Sequence, residues 1–175
     1  MQKTSLYWGM IGGFSMNIDL LCENVLVFRN LEFSTSTEVL NFLSSKLYEK
    51  DYVKKEYQIA ILGREKKYPT GLPSKDVKIA IPHATHTLVN KAALSIGILK
   101  TPVEFNSMGD SNIKLDVQII IMLALKEPHG HIEMLKKIVK LIKNPEALKS
   151  IINASSIEEV LNKLNPYLIN NKQSL

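Results

Sequence analysis

The run Val117–Leu125, VQIIIMLAL, carries a single polar side chain, Gln118. An antiparallel strand with one wet face alternates apolar and polar residues, whereas a strand covered on both faces does not. The run therefore reads as a central strand with packing above and below it. It also falls well short of the ~20 apolar residues a membrane-spanning helix needs, and no run in the chain approaches that length. A buried central strand requires layers on both sides, so the rest of the chain must supply helices to cover it.

The flanking sequence supplies them in an interleaved order. Asn24–Phe28 (NVLVF) reads as a short strand. Thr35 stands three residues before Glu38, the spacing of a capping box, and Val39, Leu40, Leu43 and Leu47 follow at helical intervals. A second helix is expected over Lys54–Lys67, although its apolar centre, Ile59–Leu62, also fits a strand. Pro69-Thr70-Gly71-Leu72-Pro73 cannot continue that helix and reads as a loop. Val77–Ile81 and Ala92–Leu99 read as further strands. Pro128 and Gly130 break the chain, and an amphipathic helix is expected from Ile132, with Ile132, Leu135, Ile138, Val139 and Ile142 on one face. Asn144-Pro145 opens a short helix, and Ser156 with Glu159 opens a last one through about Leu164. The pattern predicts an α/β domain, a mixed β-sheet flanked by helices on both faces. Residues 1–16 are read as a flexible N-terminal extension and 17–175 as the domain. Residues 1–16 hold one lysine and no long apolar core, so they are not read as a signal peptide.

A net charge of +5 raises the question of nucleic acid. Of the 22 basic residues only Arg29 and Arg64 are arginines, and the lysines are scattered over helix faces rather than gathered into basic stripes with aromatic neighbours. Base and phosphate clamping favour arginine in clusters, so no nucleic-acid partner is expected. Cys22, the single cysteine, excludes an internal disulfide and fits a reducing compartment; it reads as a core residue.

Chemistry is concentrated in four histidines, which form the pairs His83/His86 and His129/His131. Each pair follows a predicted strand, where a rigid sheet can hold a loop in position. A neutral imidazole serves as a nucleophile, a metal ligand or a proton carrier. Pro82-His83 puts one ring at the mouth of the Val77–Ile81 strand; it either receives a reacting group there or simply ends the strand. Arg64 lies late in a helix, just before Thr70 and Gly71, and can clamp a phosphoryl group or pair with Glu65. Thr70 offers a hydroxyl, and Gly71 lets backbone approach closely. His131 opens a predicted helix, where unpaired N–H groups favour anions. His86 and His129 read as exposed neighbours. A zinc site built on His129-x-His131 would need Glu or Cys ligands at supporting spacing, which the sequence lacks. With no Gly-rich phosphate loop, no nucleotide or other cofactor is expected.

Taken together and in order, Arg64-Glu65, Pro69-Thr70-Gly71-Leu72-Pro73, Ile79-Ala80-Ile81-Pro82-His83-Ala84 and His131-Ile132-Glu133-Met134-Leu135 resemble the mannitol–fructose class of IIA components of the bacterial sugar phosphotransferase system. The resemblance spans roughly Asn17–Leu164. It implies a cytoplasmic phosphocarrier in which His83 accepts a phosphoryl group from the histidine phosphocarrier protein and passes it to a cysteine of a IIB component. A membrane IIC component is then an indirect partner, and this chain itself does not enter the membrane. The resemblance makes Arg64 and His131 the residues that flank the phosphoryl group; Thr70 and Gly71 are expected, from their own chemistry, to help bind it. The Pro-Thr-Gly-Leu-Pro wording leans toward the galactitol-type branch, whereas some members of that branch lack a histidine corresponding to His131. The alternative is a regulatory protein of the nitrogen-linked phosphotransferase type, which controls a partner by its phosphorylation state.

Overall fold

The structure, a computed structural model, describes residues 24–168, so the expected 1–16 extension and Cys22 lie outside the described residues. The strands are β1 (Asn24–Leu31), β2 (Gly71–Leu72), β3 (Lys78–Ala80), β4 (Ala93–Asn106) and β5 (Lys114–Ala124). The helices are α1 (Ser36–Glu49), α2 (Tyr57–Lys67), α3 (Pro128–Ile142), α4 (Pro145–Ile152) and α5 (Ile157–Leu168), with a 3-10 turn at His86–Leu88. The sheet order is β1-β4-β5-β3-β2. β1 runs parallel to β4 and β3 parallel to β5, while β4/β5 and β2/β3 are antiparallel. The expected mixed sheet is therefore observed.

β5 sits at the centre, and its side chains explain why the sheet needs two covers. Ile119, Ile121 and Leu123 join the core beneath α3, α4 and α5, whereas Val117, Ile120, Met122 and Ala124 join the core beneath α1 and α2. Ile119, Ile120 and Ile121 are all fully buried, and each contributes about 1.5–3 kcal/mol by leaving water. The facing pattern changes at Gln118, because Lys78 pairs with Val117 but Ile79 pairs with Ile119. Gln118 is the extra residue of a bulge, and its amide donates to the Leu99 carbonyl at 3.2 Å.

Several boundaries differ from the sequence expectation. β4 continues past Leu99 to Asn106, since a register shift between Ile98 and Val103 accommodates Pro102 without ending the strand. The expected loop at 69–73 contains β2, whose Gly71 and Leu72 pair with Ala80 and Ile79. Its prolines flank the paired residues, so no ladder donor is lost. α2 begins at Tyr57 rather than Lys54, after a turn in which Tyr57 N–H donates to the Lys54 carbonyl at 3.0 Å. α3 begins at Pro128, earlier than Ile132, because proline at the first helical position loses only a donor that has no partner anyway. Its buried face is Met134, Ile138 and Leu141; Ile132 and Val139 are 53% and 44% exposed and do not belong to it. The Thr35/Glu38 capping box forms as expected. α5 runs on to Leu168 through Pro166, with Leu168 buried against the sheet.

Candidate active site

The sheet delivers His83 to the surface with little freedom. β3 ends at Ala80, and Ile81 and Pro82 are buried. The Pro82 carbonyl accepts from Leu123 N–H at 2.9 Å, which pins the exit of β3 to β5. Beneath it, the Tyr57 hydroxyl donates to the Leu123 carbonyl at 2.6 Å. Burial pushes the Tyr57 phenol well above its ordinary value, so it stays protonated and donating. Tyr57 carries no motif, and its polar tip on an otherwise apolar helix face is the one sequence hint of such a role.

The His83 ring is held at both nitrogens. Nδ1 lies 2.9 Å from the Ile81 carbonyl, and Nε2 lies 3.0 Å from Arg64 Nη2. A carbonyl only accepts and a guanidinium only donates, so the proton is on Nδ1 and the Nε2 lone pair faces Arg64. Burial, above all, lowers the affinity of this ring for a second proton. The Ile81 carbonyl works against that, and Arg64 and His131 reinforce it. The result is a neutral imidazole with its lone pair pointed at an open pocket, which is the nucleophilic form.

The pocket has a volume of about 370 Å³ and is lined by Arg64, His83, Ala84, Thr85, His86, Pro128 and His131. Arg64 projects from the last turn of α2 with its guanidinium 5.5 Å from the Tyr68 ring centroid. His131 comes from the first turn of α3, its ring centroid 5.4 Å from that of His83. His131 Nδ1 faces the Glu127 carbonyl at 3.3 Å, and burial, opposed by that carbonyl and aided by Arg64 and His86, lowers its pKa. Three of the sequence candidates, His83, Arg64 and His131, thus converge.

Thr70 and Gly71 are not among the lining residues. Thr70 is 2% exposed, and its backbone N–H and hydroxyl donate to Glu65 at 2.9 and 2.8 Å. Burial raises the Glu65 pKa, while these two bonds and the charge of Arg64 pull it back down. The Thr70 carbonyl in turn accepts from Ile81 N–H at 3.2 Å. Arg64's neighbour is thereby tied, through Thr70, to Ile81, the residue whose carbonyl orients His83. The close approach expected at Gly71 exists, but toward protein: a Cβ there would stand 2.6 Å from the Asn106 carbonyl oxygen. His86 is exposed as expected and also edges the pocket, a role the sequence does not announce although it lies one turn past His83. His129 points away, 3.9 Å from Glu133. The other arginine, Arg29, is spent on the Ser155 and Ala154 carbonyls.

A mixed sheet between helical layers, with a neutral imidazole and an arginine at one strand exit, defines an α/β protein with a pocket lined by histidines and an arginine. Similarity to known proteins gives the family. The family model described as "Phosphoenolpyruvate-dependent sugar phosphotransferase system, EIIA 2" matches residues 20–166, and the chain belongs to that family. It is 30% identical over 146 residues to the mannitol-specific phosphotransferase enzyme IIA component of Geobacillus stearothermophilus, covering 82% of this chain and 92% of that one. It is 24% identical over 129 residues to the galactitol-specific EIIA component of Escherichia coli K12, covering 74% and 85%. Its fold matches a chain in the solved complex of enzyme IIAMTL with phosphorylated enzyme IIBMTL from Escherichia coli, with a TM-score of 0.67, 24% identity and coverage of 80% and 94%. The protein is accordingly a phosphotransfer component of EIIA type, and among the described residues no helix is long and apolar enough to cross a membrane.

Proposed function

We propose that this chain is a cytoplasmic phosphocarrier whose His83 Nε2 takes a phosphoryl group from the histidine phosphocarrier protein and yields it to a cysteine of a IIB component. The domain is residues 17–175, preceded by an extension at 1–16. The observation that carries the reading is the pair of hydrogen bonds that leave His83 neutral, with Nδ1 protonated and Nε2 unprotonated beside Arg64. Transfer is in line: the donor's N–P bond breaks as the Nε2–P bond forms, with charge spread over the three phosphoryl oxygens. Arg64 swings from the lone pair onto those oxygens, and His131 faces them from α3. The Nδ1 proton stays on the ring, held by Ile81, so the phosphorylated imidazole carries positive charge and leaves readily in the next transfer. The mannitol IIA relative solved with phosphorylated IIB supports a IIB protein as the acceptor. The substrate served is a sugar or sugar alcohol of the galactitol or mannitol kind, which the two relatives favour. Its choice falls to the membrane IIC component.

The test is labelling with phosphoenolpyruvate and the two general relay proteins, followed by chase into a panel of IIB proteins. One acid-labile phosphate per chain is expected, lost in His83→Ala; wild-type labelling of His83→Ala would overturn the assignment. A chain that labels on His83 yet passes phosphate to no IIB protein would instead be the regulatory form.

A further inference from the structure

His131 Nε2 is the buried side-chain nitrogen left without a hydrogen-bond partner among the described residues. The other ring nitrogen faces the Glu127 carbonyl, which only accepts, so the single ring proton sits on Nδ1 and Nε2 presents a bare lone pair. That lone pair cannot donate to a phosphoryl oxygen; two acceptors would meet. Burial disfavours a second proton on the ring, and the surroundings add to that. Facing it are Arg64 from α2, His83 from the exit of β3 and His86 from the 3-10 turn, all neutral or cationic, and no carboxylate is among the lining residues. Its own helix adds a first-turn position, where the dipole also disfavours a cation. Glu133, further along α3, is engaged by Lys136 at 2.7 Å and lies near His129. An arriving phosphoryl group would bring negative charge to a lining that supplies none of its own.

Resting on the phosphocarrier reading, we propose that His131 is a proton-binding site coupled to His83: each phosphoryl group that arrives on Nε2 of His83 draws one proton from solvent onto Nε2 of His131. Neutral imidazole plus H⁺ gives imidazolium, whose new Nε2–H donates to a phosphoryl oxygen. No bond to carbon changes and nothing is oxidised or reduced. When the phosphoryl group leaves, the proton returns to solvent. The coupling is reciprocal: the phosphorylated state is favoured by acid and weakened as pH rises, in the window between the His131 pKa values of the two states.

The experiment is side-chain ¹⁵N NMR of the whole chain at about pH 7.5, before and after phosphorylation by phosphoenolpyruvate and the relay proteins. His131 should change from a neutral ring protonated at Nδ1 to one protonated at both nitrogens. A His131 that stays neutral while His83 carries phosphate would overturn the proposal and leave the phosphocarrier reading intact. Absence of any label on wild-type His83 would overturn both. A second variant guards the result: His131→Gln offers a neutral N–H donor that needs no proton. The equilibrium with the phosphocarrier should then lose a pH dependence that in wild type approaches tenfold per pH unit inside the window. Identical pH slopes for wild type and His131→Gln would count against the coupling.

Discussion

His83 and His131 stand 5.4 Å apart between ring centroids and are mounted in opposite ways. His83 rides on a strand exit whose peptides are hydrogen-bonded to β5 on one side and Thr70 on the other, and both of its ring nitrogens are engaged, at 2.9 and 3.0 Å. His131 rides on the opening turn of a helix, has its hydrogen bond to the carbonyl of Glu127 at that helix's own start, 3.3 Å away, and keeps its inner nitrogen free. The difference matches two kinds of work. A nucleophile must hold its lone pair along one line of approach, so its mount has to be stiff. A group that answers to a charge which comes and goes needs an open valence more than a fixed bearing.

This contrast is open to challenge by substitution. Among changes that keep His83 in place, the largest effect is expected from Arg64→Ala, which removes the guanidinium facing the Nε2 lone pair. Labelling should slow by about 10²–10³-fold with an unfolding midpoint close to wild type, as measured by rapid-quench labelling and thermal melts. An unchanged rate would remove Arg64 from the reaction. His131→Ala should slow transfer by about ten- to a hundredfold, the value of one charge-assisted hydrogen bond, while His83 remains modifiable. Complete loss of label in that variant would make His131 itself an acceptor. Thr70→Val tests the mount rather than the reacting groups. It leaves Glu65 Oε2 without its hydroxyl donor and should cost about 1–3 kcal/mol in urea unfolding, with a smaller rate effect than either change above. The smallest effect is on pH dependence. Both rings titrate below the ordinary histidine value of 6.5, burial being the main cause in each. The unfolded chain therefore binds protons first as pH falls, so this stability is present above 6.5 and is lost below it. Urea melts across that range should show the loss, and the His83→Ala, His131→Ala double variant should lack that part of it.

Much of this arrangement is legible in the amino-acid sequence. The nearly continuous apolar run at 117–125 announces a sheet covered twice, and Pro82-His83 announces a ring at a strand exit. What misleads are residues whose chemistry admits two settings. Pro128 and Gly130 read as breakers, yet both lie inside the first turn of α3, where proline is tolerated. That earlier start puts His131 inside the turn rather than ahead of it. Ile132 and Val139 lie off the buried face because α3 docks on the sheet through Met134, Ile138 and Leu141. Thr70 and Gly71 look like anion ligands because hydroxyl and glycine often are. In three dimensions the hydroxyl meets Glu65 and the glycine meets Asn106, partners that residue type alone does not announce. Tyr57 offers the sequence no more than its polar tip, since its partner carbonyl belongs to Leu123, 66 residues away.

The anchor behind the His83 ring is a main-chain oxygen, that of Ile81. No change of side chain at position 81 can delete it, so the orientation of the ring is inherited from the backbone rather than entrusted to any one residue's chemistry. Drift in the surrounding apolar sequence can therefore proceed without re-aiming the ring, provided the strand itself is kept. A lineage can exchange its substrates and its partners while the reacting atom stays where the backbone put it.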